Sequence, residues 1–246
     1  MPIDLNLPKK NGLFMAGTDI GVGKTLIAGA IAKILTGSGQ KVGVFKPIAT
    51  GCRRDWEGMV SCDTDFLAAC ANSNFSLSTI TPVGYVTPAA PIAGAAQEGR
   101  PIGFDSIASA YKDICESTDI VIVEGIGGVR MPLTAEFDLL DLAVEFGLPV
   151  VVIARLNAGT INHTLMTIDC IRAAELKIAG VVINGYNATE ATVAEETAGQ
   201  VIAQCGGVNV LCIVPFDETA DIEARSLGEV IIPSLLDCDW TKLAQN

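Results

Sequence analysis

The stretch Ala16-Gly17-Thr18-Asp19-Ile20-Gly21-Val22-Gly23-Lys24-Thr25 constrains this chain more than any other. Glycines, a cation and a hydroxyl follow one another there in the order a phosphate-binding loop requires. The apolar run Gly12 to Ala16 precedes it with the character of a buried strand, and Leu26 to Leu35 follows with the composition of a helix. Gly17, Gly21 and Gly23 let the backbone come close to a polyphosphate, and the N–H groups of the loop and helix start face the anion with the helix dipole behind them. Asp19, Ile20, Gly21, Val22 and Gly23 then form the nucleotide-binding turn, Lys24 reaches the terminal phosphates, and the Thr25 hydroxyl holds a magnesium ion. Five residues separate Gly17 from Gly23 where the usual pattern has four, and Thr18 stands in place of the first glycine. This points to a subclass with a longer loop.

The rest of the chain alternates apolar runs with helical segments, as a parallel sheet with crossover helices requires. The expected fold is α/β: a single-domain P-loop NTPase-like fold over residues 1–246, with a mostly parallel central sheet and helices on both faces. Its longest apolar runs, such as Pro149 to Ala154, fall far short of the ~20 residues that cross a bilayer. The start, Met1-Pro2-Ile3-Asp4, lacks the layout of a signal peptide, so the expected location is cytoplasmic, with no membrane partner. Sixteen basic against twenty-eight acidic residues give a net charge of −12, which repels a nucleic-acid backbone. The eight cysteines show no Cys-x-x-Cys pair or zinc-site spacing and read mostly as reduced, buried, small hydrophobes.

Two further stretches carry chemistry. Lys41 to Lys46 reads as a strand stopped by Pro47, which places Lys46 at a strand's C-terminal end, the edge where open parallel sheets bind ligands. Asp119 to Val123 reads as a buried strand that ends in Glu124 and the glycine-rich turn Gly125-Ile126-Gly127-Gly128, a carboxylate suited to a magnesium contact opposite Thr25. Residues Gly51 to Cys62 read as a loop, and a helix starts at Asp63 with Ser61 or Asp63 as its cap. Asp63 and Asp65 either complement that helix N-terminus or supply one metal ligand. Residues 79–101, with four prolines, read as irregular chain with one short strand near Val83 to Val86 and no chemistry. Helices are predicted over 103–116, 137–146, 160–176 and 191–205, and strands over 148–154, 178–184 and 208–214, the last closed by Pro215. His163, the only histidine, reads as a packing or capping residue. Asn184 ends its strand as a turn-forming Asn-Gly or as an amide that reads a purine edge.

Gly17 to Thr25, Lys46-Pro47-Ile48-Ala49-Thr50-Gly51, Val123 to Gly128 and Gly159-Thr160-Ile161-Asn162-His163-Thr164 together resemble the dethiobiotin synthetase family, from about Leu13 to Asp217; Gln97 to Ile102 is similar to it too. The resemblance implies a reaction in which 7,8-diaminopelargonic acid, carbon dioxide and ATP with Mg2+ give dethiobiotin, ADP and phosphate, through a carbamate and a carbamic-phosphoric mixed anhydride, in biotin synthesis. It further implies Lys24 and Lys46 as catalytic residues and Thr25, Asp63 and Glu124 as the magnesium group, Asp63 falling in register without a gap. Thr50 lies near the substrate amines, Gly127 offers a backbone N–H, Asn184 contacts the adenine, and Pro215 joins the nucleotide-binding set. In the family the substrate carboxylate is held partly by the partner subunit, at the helix start that Thr160, Ile161 and Asn162 match, so the resemblance implies a homodimer. Ile20 stands where family members often carry Thr, and Ile126 where they carry Ala. On this reading Lys46→Ala abolishes ring closure and largely spares the fold.

Two rival classes share the loop. Amide-forming synthetases of the cobyrinic acid type usually append a glutamine-hydrolysing domain, for which this chain has no length. Switch ATPases of the partition or septum-site kind carry an extra lysine early in the loop, where Thr18 and Asp19 stand, and often a basic or amphipathic tail, unlike Asp237 to Asn246.

Overall fold

A computed structural model describes residues 4–55, 58–189 and 191–245. In chain order β1 (Gly12–Gly17) feeds α1 (Lys24–Gly37), followed by β2 (Val42–Phe45), β3 (Ile48–Thr50), β4 (Arg53–Asp55), β5 (Gly58–Val60), α2 (Cys62–Cys70), α3 (Leu77–Ile80), β6 (Val83–Tyr85) and α4 (Pro91–Glu98). Next come α5 (Phe104–Ser117), β7 (Ile120–Gly128), α6 (Leu139–Phe146), β8 (Val150–Arg155), α7 (Thr160–Ala173), β9 (Ile178–Tyr186), α8 (Val193–Gly206) and β10 (Val210–Pro215). The described chain ends with β11 (Ala220–Asp221), β12 (Ser226–Leu227), α9 (Ile231–Leu235) and α10 (Trp240–Leu243).

Six strands form one sheet in the order β10-β9-β8-β1-β7-β2, every adjacent pair parallel. Continuous apolar runs suit strands buried on both faces, because alternate side chains then feed two separate cores. Phe14, Ala16, Val121, Val123, Val150 and Val152 point into one, where Tyr111 of α5, Leu142 of α6 and Ile168 of α7 meet them. Leu13, Met15, Ile120, Ile122, Val151 and Ile153 point into the other, under Ile27 and Ile31 of α1, Phe66 of α2 and Trp240 of α10. Register then decides what stands beside what. Met15 pairs with Glu124 and Gly17 with Gly128, so the phosphate loop leaves β1 beside the glycine-rich end of β7. Phe45 pairs with Val123, which brings Lys46 next to Glu124.

The α/β architecture agrees with the sequence reading; local details differ. Within 51–62 the chain forms an antiparallel hairpin of β4 and β5, and Gly84 of β6 lies against Met59, so a tertiary contact supports strands that local composition does not announce. Residues 79–101 contain α4, with Pro91 at its first turn and Gly99 in the left-handed conformation just past its end, the two positions where these residues favour a helix. Cysteine burial differs as well. All eight thiols are free, but only Cys52, Cys70 and Cys115 are buried, and Cys205 is exposed.

One close approach positions the site. A Cβ on Gly29 of α1 would overlap the ring of Phe66 on α2 and meet Cys70 Sγ at 3.0 Å, so the missing side chain lets α2 lie directly on α1. Gly29→Val overpacks this contact and is expected to lower stability by about 1–3 kcal/mol, read as a fall in the thermal midpoint. An unchanged midpoint would mean that α2 shifts without cost.

Candidate active site

The C-terminal ends of β1, β7 and β2 bring the three chemical stretches to one edge of the sheet. Gly21 and Gly23 adopt φ of 70° and 94°, in the left-handed region that glycine enters freely. Gly23 caps α1 with no side-chain hydrogen bond and no acidic residue in the first turn, so the amide donors there are left for an anion. Lys24 opens α1, is 7 % exposed, and its Nζ donates to Asp19 O at 3.0 Å. Burial pulls its pKa down to about 8, with the charge of Lys46 acting in the same direction against Glu124.

Glu124 lies at the centre. It is 1 % exposed, and its Oε1 accepts from Thr25 Oγ1 at 2.7 Å and from Lys46 Nζ at 2.9 Å. Lys46 Nζ also donates to Asp63 Oδ2 at 2.5 Å, joining α2 to β7 through one buried ammonium. Burial pulls Lys46 toward neutrality, but Glu124 and Asp63 outweigh it and hold the ammonium above its ordinary range. Burial pushes Glu124 up, opposed by Lys46.

Magnesium binds through one or two carboxylates, with phosphate oxygens and waters as its other ligands. Thr25, Asp63 and Glu124 fit that set: two carboxylates and a hydroxyl converge, and the buried Glu124 Oε2 has no hydrogen-bond partner. No cluster of three acidic, histidine or cysteine ligands occurs among the described residues.

A cavity of about 480 Å³ opens over these groups, with Lys24, Thr25, Lys46, Thr50, Asp63 and Glu124 as its polar lining. Ile20, Gly21, Gly23 and Gly127 line it too. Gly127 sits at φ 65°, and a side chain there would run into Met131. Asp19 and Val22 stay outside it. The Asp19 carboxylate accepts from the Ile20 N–H at 2.7 Å, whereas Val22 is buried and its carbonyl accepts from Asn184 Nδ2 at 3.0 Å. A Cβ on Gly23 would overlap that same amide, so Asn184 packs against the loop itself. Pro215, exposed at the end of β10, is paired in register with Tyr186 and does not line the cavity. Thr160 and Asn162 line a separate recess with Asn157 and Glu195. Asp65 is turned away from Lys46 and pairs with Arg225.

Sequence reading missed part of the wall. Pro88, Ala89, Ala90 and Pro91 line the cavity, as do Met131 and Ile222. Proline at a helix start and glycine at its end mark α4 in the sequence, and that signal was there to be used. No local pattern marks Met131 or Ile222.

A family model described as an AAA domain matches residues 11–224. The ATP-dependent dethiobiotin synthetase of Thermodesulfovibrio yellowstonii is 33% identical over 230 residues, covering 91% of this chain and 95% of that protein. The chain belongs to the ATP-dependent dethiobiotin synthetase family. Another family member, from Bacillus licheniformis, is 35% identical over 85% of this chain and 87% of its own length. In fold the chain is similar to the MinC:MinD cell division protein complex of Aquifex aeolicus, with a TM-score of 0.57 at 12% identity, over 95% of this chain and 92% of that one.

The site geometry revises one sequence expectation. Lys46 is 4 % exposed and its removal leaves the buried Glu124 without its cation, so Lys46→Ala is expected to cost stability as well as activity. The expected loss is about 3–5 kcal/mol, the cost of breaking a buried ion pair. Adding Glu124→Gln removes the stranded charge and should raise the thermal midpoint back toward wild type. A Lys46→Ala midpoint equal to wild type would show the pair to be far better solvated than its burial indicates.

Proposed function

We propose that this chain closes 7,8-diaminopelargonic acid with carbon dioxide and ATP to give dethiobiotin, ADP and phosphate, a step of biotin synthesis. Family membership gives the reaction. The observation that carries it to these residues is the buried Lys46 bridging Glu124 and Asp63 at the mouth of the phosphate loop, with Lys24 and Thr25 beside it.

One amine of the diamine forms a C–N bond to carbon dioxide and gives up a proton, leaving a carbamate. A carbamate oxygen forms a bond to the γ-phosphorus as the bond to the bridging oxygen breaks, and ADP departs. The second amine then attacks the carbonyl carbon of the mixed anhydride, loses its proton, and expels phosphate as the cyclic urea closes. Negative charge moves over phosphoryl oxygens in both transfers, so fixed cations stabilise these transition states. Lys24 serves the terminal phosphates and Lys46 the carbamate and the transferring phosphoryl group. Thr50, on the cavity wall, meets the amines, the Gly127 N–H meets the carbamate or phosphate, and Asn184 and Pro215 contact the nucleoside side. Thr25, Asp63 and Glu124 would hold Mg2+, which neutralises phosphate charge when bound.

Thr160 and Asn162 lie in a recess apart from the cavity of their own chain, which supports the reading that they serve the substrate carboxylate of a partner subunit in a homodimer. No helix among the described residues is long and apolar enough to cross a membrane. We read the chain as a cytoplasmic enzyme working on small molecules, and the net charge of −12 speaks against a nucleic-acid partner.

Phosphate release from ATP and Mg2+ is expected to require both the diamine and bicarbonate, with dethiobiotin detected by mass. Release independent of the diamine, with no such product, would overturn the reaction. Lys46→Ala should lower turnover by at least about 10²-fold, the scale of losing one preorganised charge-stabilising group. Mixing inactive Lys46→Ala and Asn162→Ala protomers should restore about a quarter of wild-type activity, since half the dimers are mixed and each of those holds one intact site. No recovery after confirmed subunit exchange would place Asn162 and Lys46 in the same protomer's site.

A further inference from the structure

Arg225 stands at the tip of the hairpin formed by β11 and β12, and its guanidinium grips Asp65 with two nitrogens. Nε donates to Oδ2 and Nη2 to Oδ1, both at 2.8 Å. Asp65 belongs to the first turn of α2, two residues after Asp63. The segment following the last strand of the sheet is thus tied across to the helix whose other carboxylate faces Lys46. The same tip carries Ile222, which lines the cavity with Ile20, Gly21 and Gly23 of the phosphate loop.

The tip is held at both ends. Asp217 fixes the base of the segment by accepting from the N–H groups of Thr219, Glu229 and Val230 at 2.9, 2.7 and 2.9 Å. At the tip, the Ala224 N–H donates to Asp221 Oδ1 at 3.0 Å and the Arg225 N–H to Ile222 O at 3.1 Å. Arg225 itself sits at φ 55°, a left-handed conformation that costs a residue with a Cβ. A forked two-point pair fixes geometry as well as charge. Yet the Arg225 side chain is 56 % exposed, and exposed ion pairs add little to global stability. Placement of the tip is the effect such a pair delivers.

The sheet order says what the tip faces. Lys46 follows β2, on one side of β1, while β9, which carries Asn184, lies on the other side, next to β10 from which the hairpin departs. The phosphate loop lies between them. Ile222, carried on the segment that leaves β10, meets the cavity beside Ile20, Gly21 and Gly23 of that loop. We propose that Arg225 is a positioning residue for ATP: by clasping Asp65 it holds Ile222 as an apolar wall against the nucleotide seated on the phosphate loop. This rests on the ATP-dependent reading of the site given above.

The test is calorimetric binding of ATP with Mg2+ to the wild type, Arg225→Met, Asp65→Asn and the double variant, with steady-state kinetics beside it. Each single change is expected to weaken ATP binding about tenfold with a nearly unchanged thermal midpoint. The double variant should be no weaker than either single one, because both remove one shared interaction. Arg225→Lys, which keeps the charge and loses the fork, should fall between wild type and Arg225→Met. Turnover at saturating ATP and KM for the diamine should stay within about twofold of wild type, since ATP affinity alone is altered. Unchanged ATP affinity in the single variants, additive losses in the double, or a fall in turnover with ATP affinity intact would each overturn the proposal. A wild type that binds ATP but forms no dethiobiotin would overturn the reaction assigned above, and the binding comparison would still decide the role of Arg225.

Discussion

Glu124 is the constraint on which the site depends. A carboxylate 1 % exposed in the middle of a central strand is stable only if its lost hydration is replaced, and here a buried ammonium and a hydroxyl replace it. Those partners come from β2, by way of Lys46, and from α1, by way of Thr25. Satisfying one buried charge therefore fixes the relative positions of three elements. Asp63 extends the network to α2, which reaches Lys46 because Gly29 lets α2 lie close against α1. Packing without a side chain at one point thus sets the electrostatics at another.

The sheet and its loops were legible in the sequence because their signals are local. An apolar run, a glycine-rich turn and a helix in immediate succession leave few options for Gly12 to Leu35, and the same holds for Ile120 to Gly128. Elements that depend on distant contacts were not legible. The β4–β5 hairpin is supported where Met59 meets Gly84, and α10 by burial of Trp240 beneath α1 and by the bond from the Gly12 N–H to Ala244 O. Proline-rich composition hid α4, although Pro91 and Gly99 occupy the two positions where these residues favour a helix.

The pair Asp63 and Asp65 shows why part of the site lay beyond sequence. Both are acidic, both occupy the first turn of α2, and both suit a helix N-terminus. Residues two apart on a helix point to opposite sides, since each step turns about 100°. One of the two must face away from whatever the other faces, but only the orientation of α2 over α1 decides which. That orientation gives Asp63 to Lys46 and Asp65 to Arg225, so the two carboxylates serve different partners from adjoining positions.

The two lysines of the cavity divide the same way. Both are buried, and burial alone disfavours the ammonium form of each. Lys46 has two carboxylates within hydrogen-bond reach and keeps its proton firmly. Lys24 donates to a backbone carbonyl, and burial outweighs the pull of Glu124, Asp63 and Asp19 and takes it down to about 8. A phosphate set against the loop amides would add its negative charge to that of Glu124, Asp63 and Asp19, which already act on Lys24, and so would favour the ammonium form. Lys46 is a cation already balanced in place, whereas Lys24 is a buried cation that its surroundings balance less fully. The cavity floor thus sets a fully paired ammonium beside one that an anion would still stabilise.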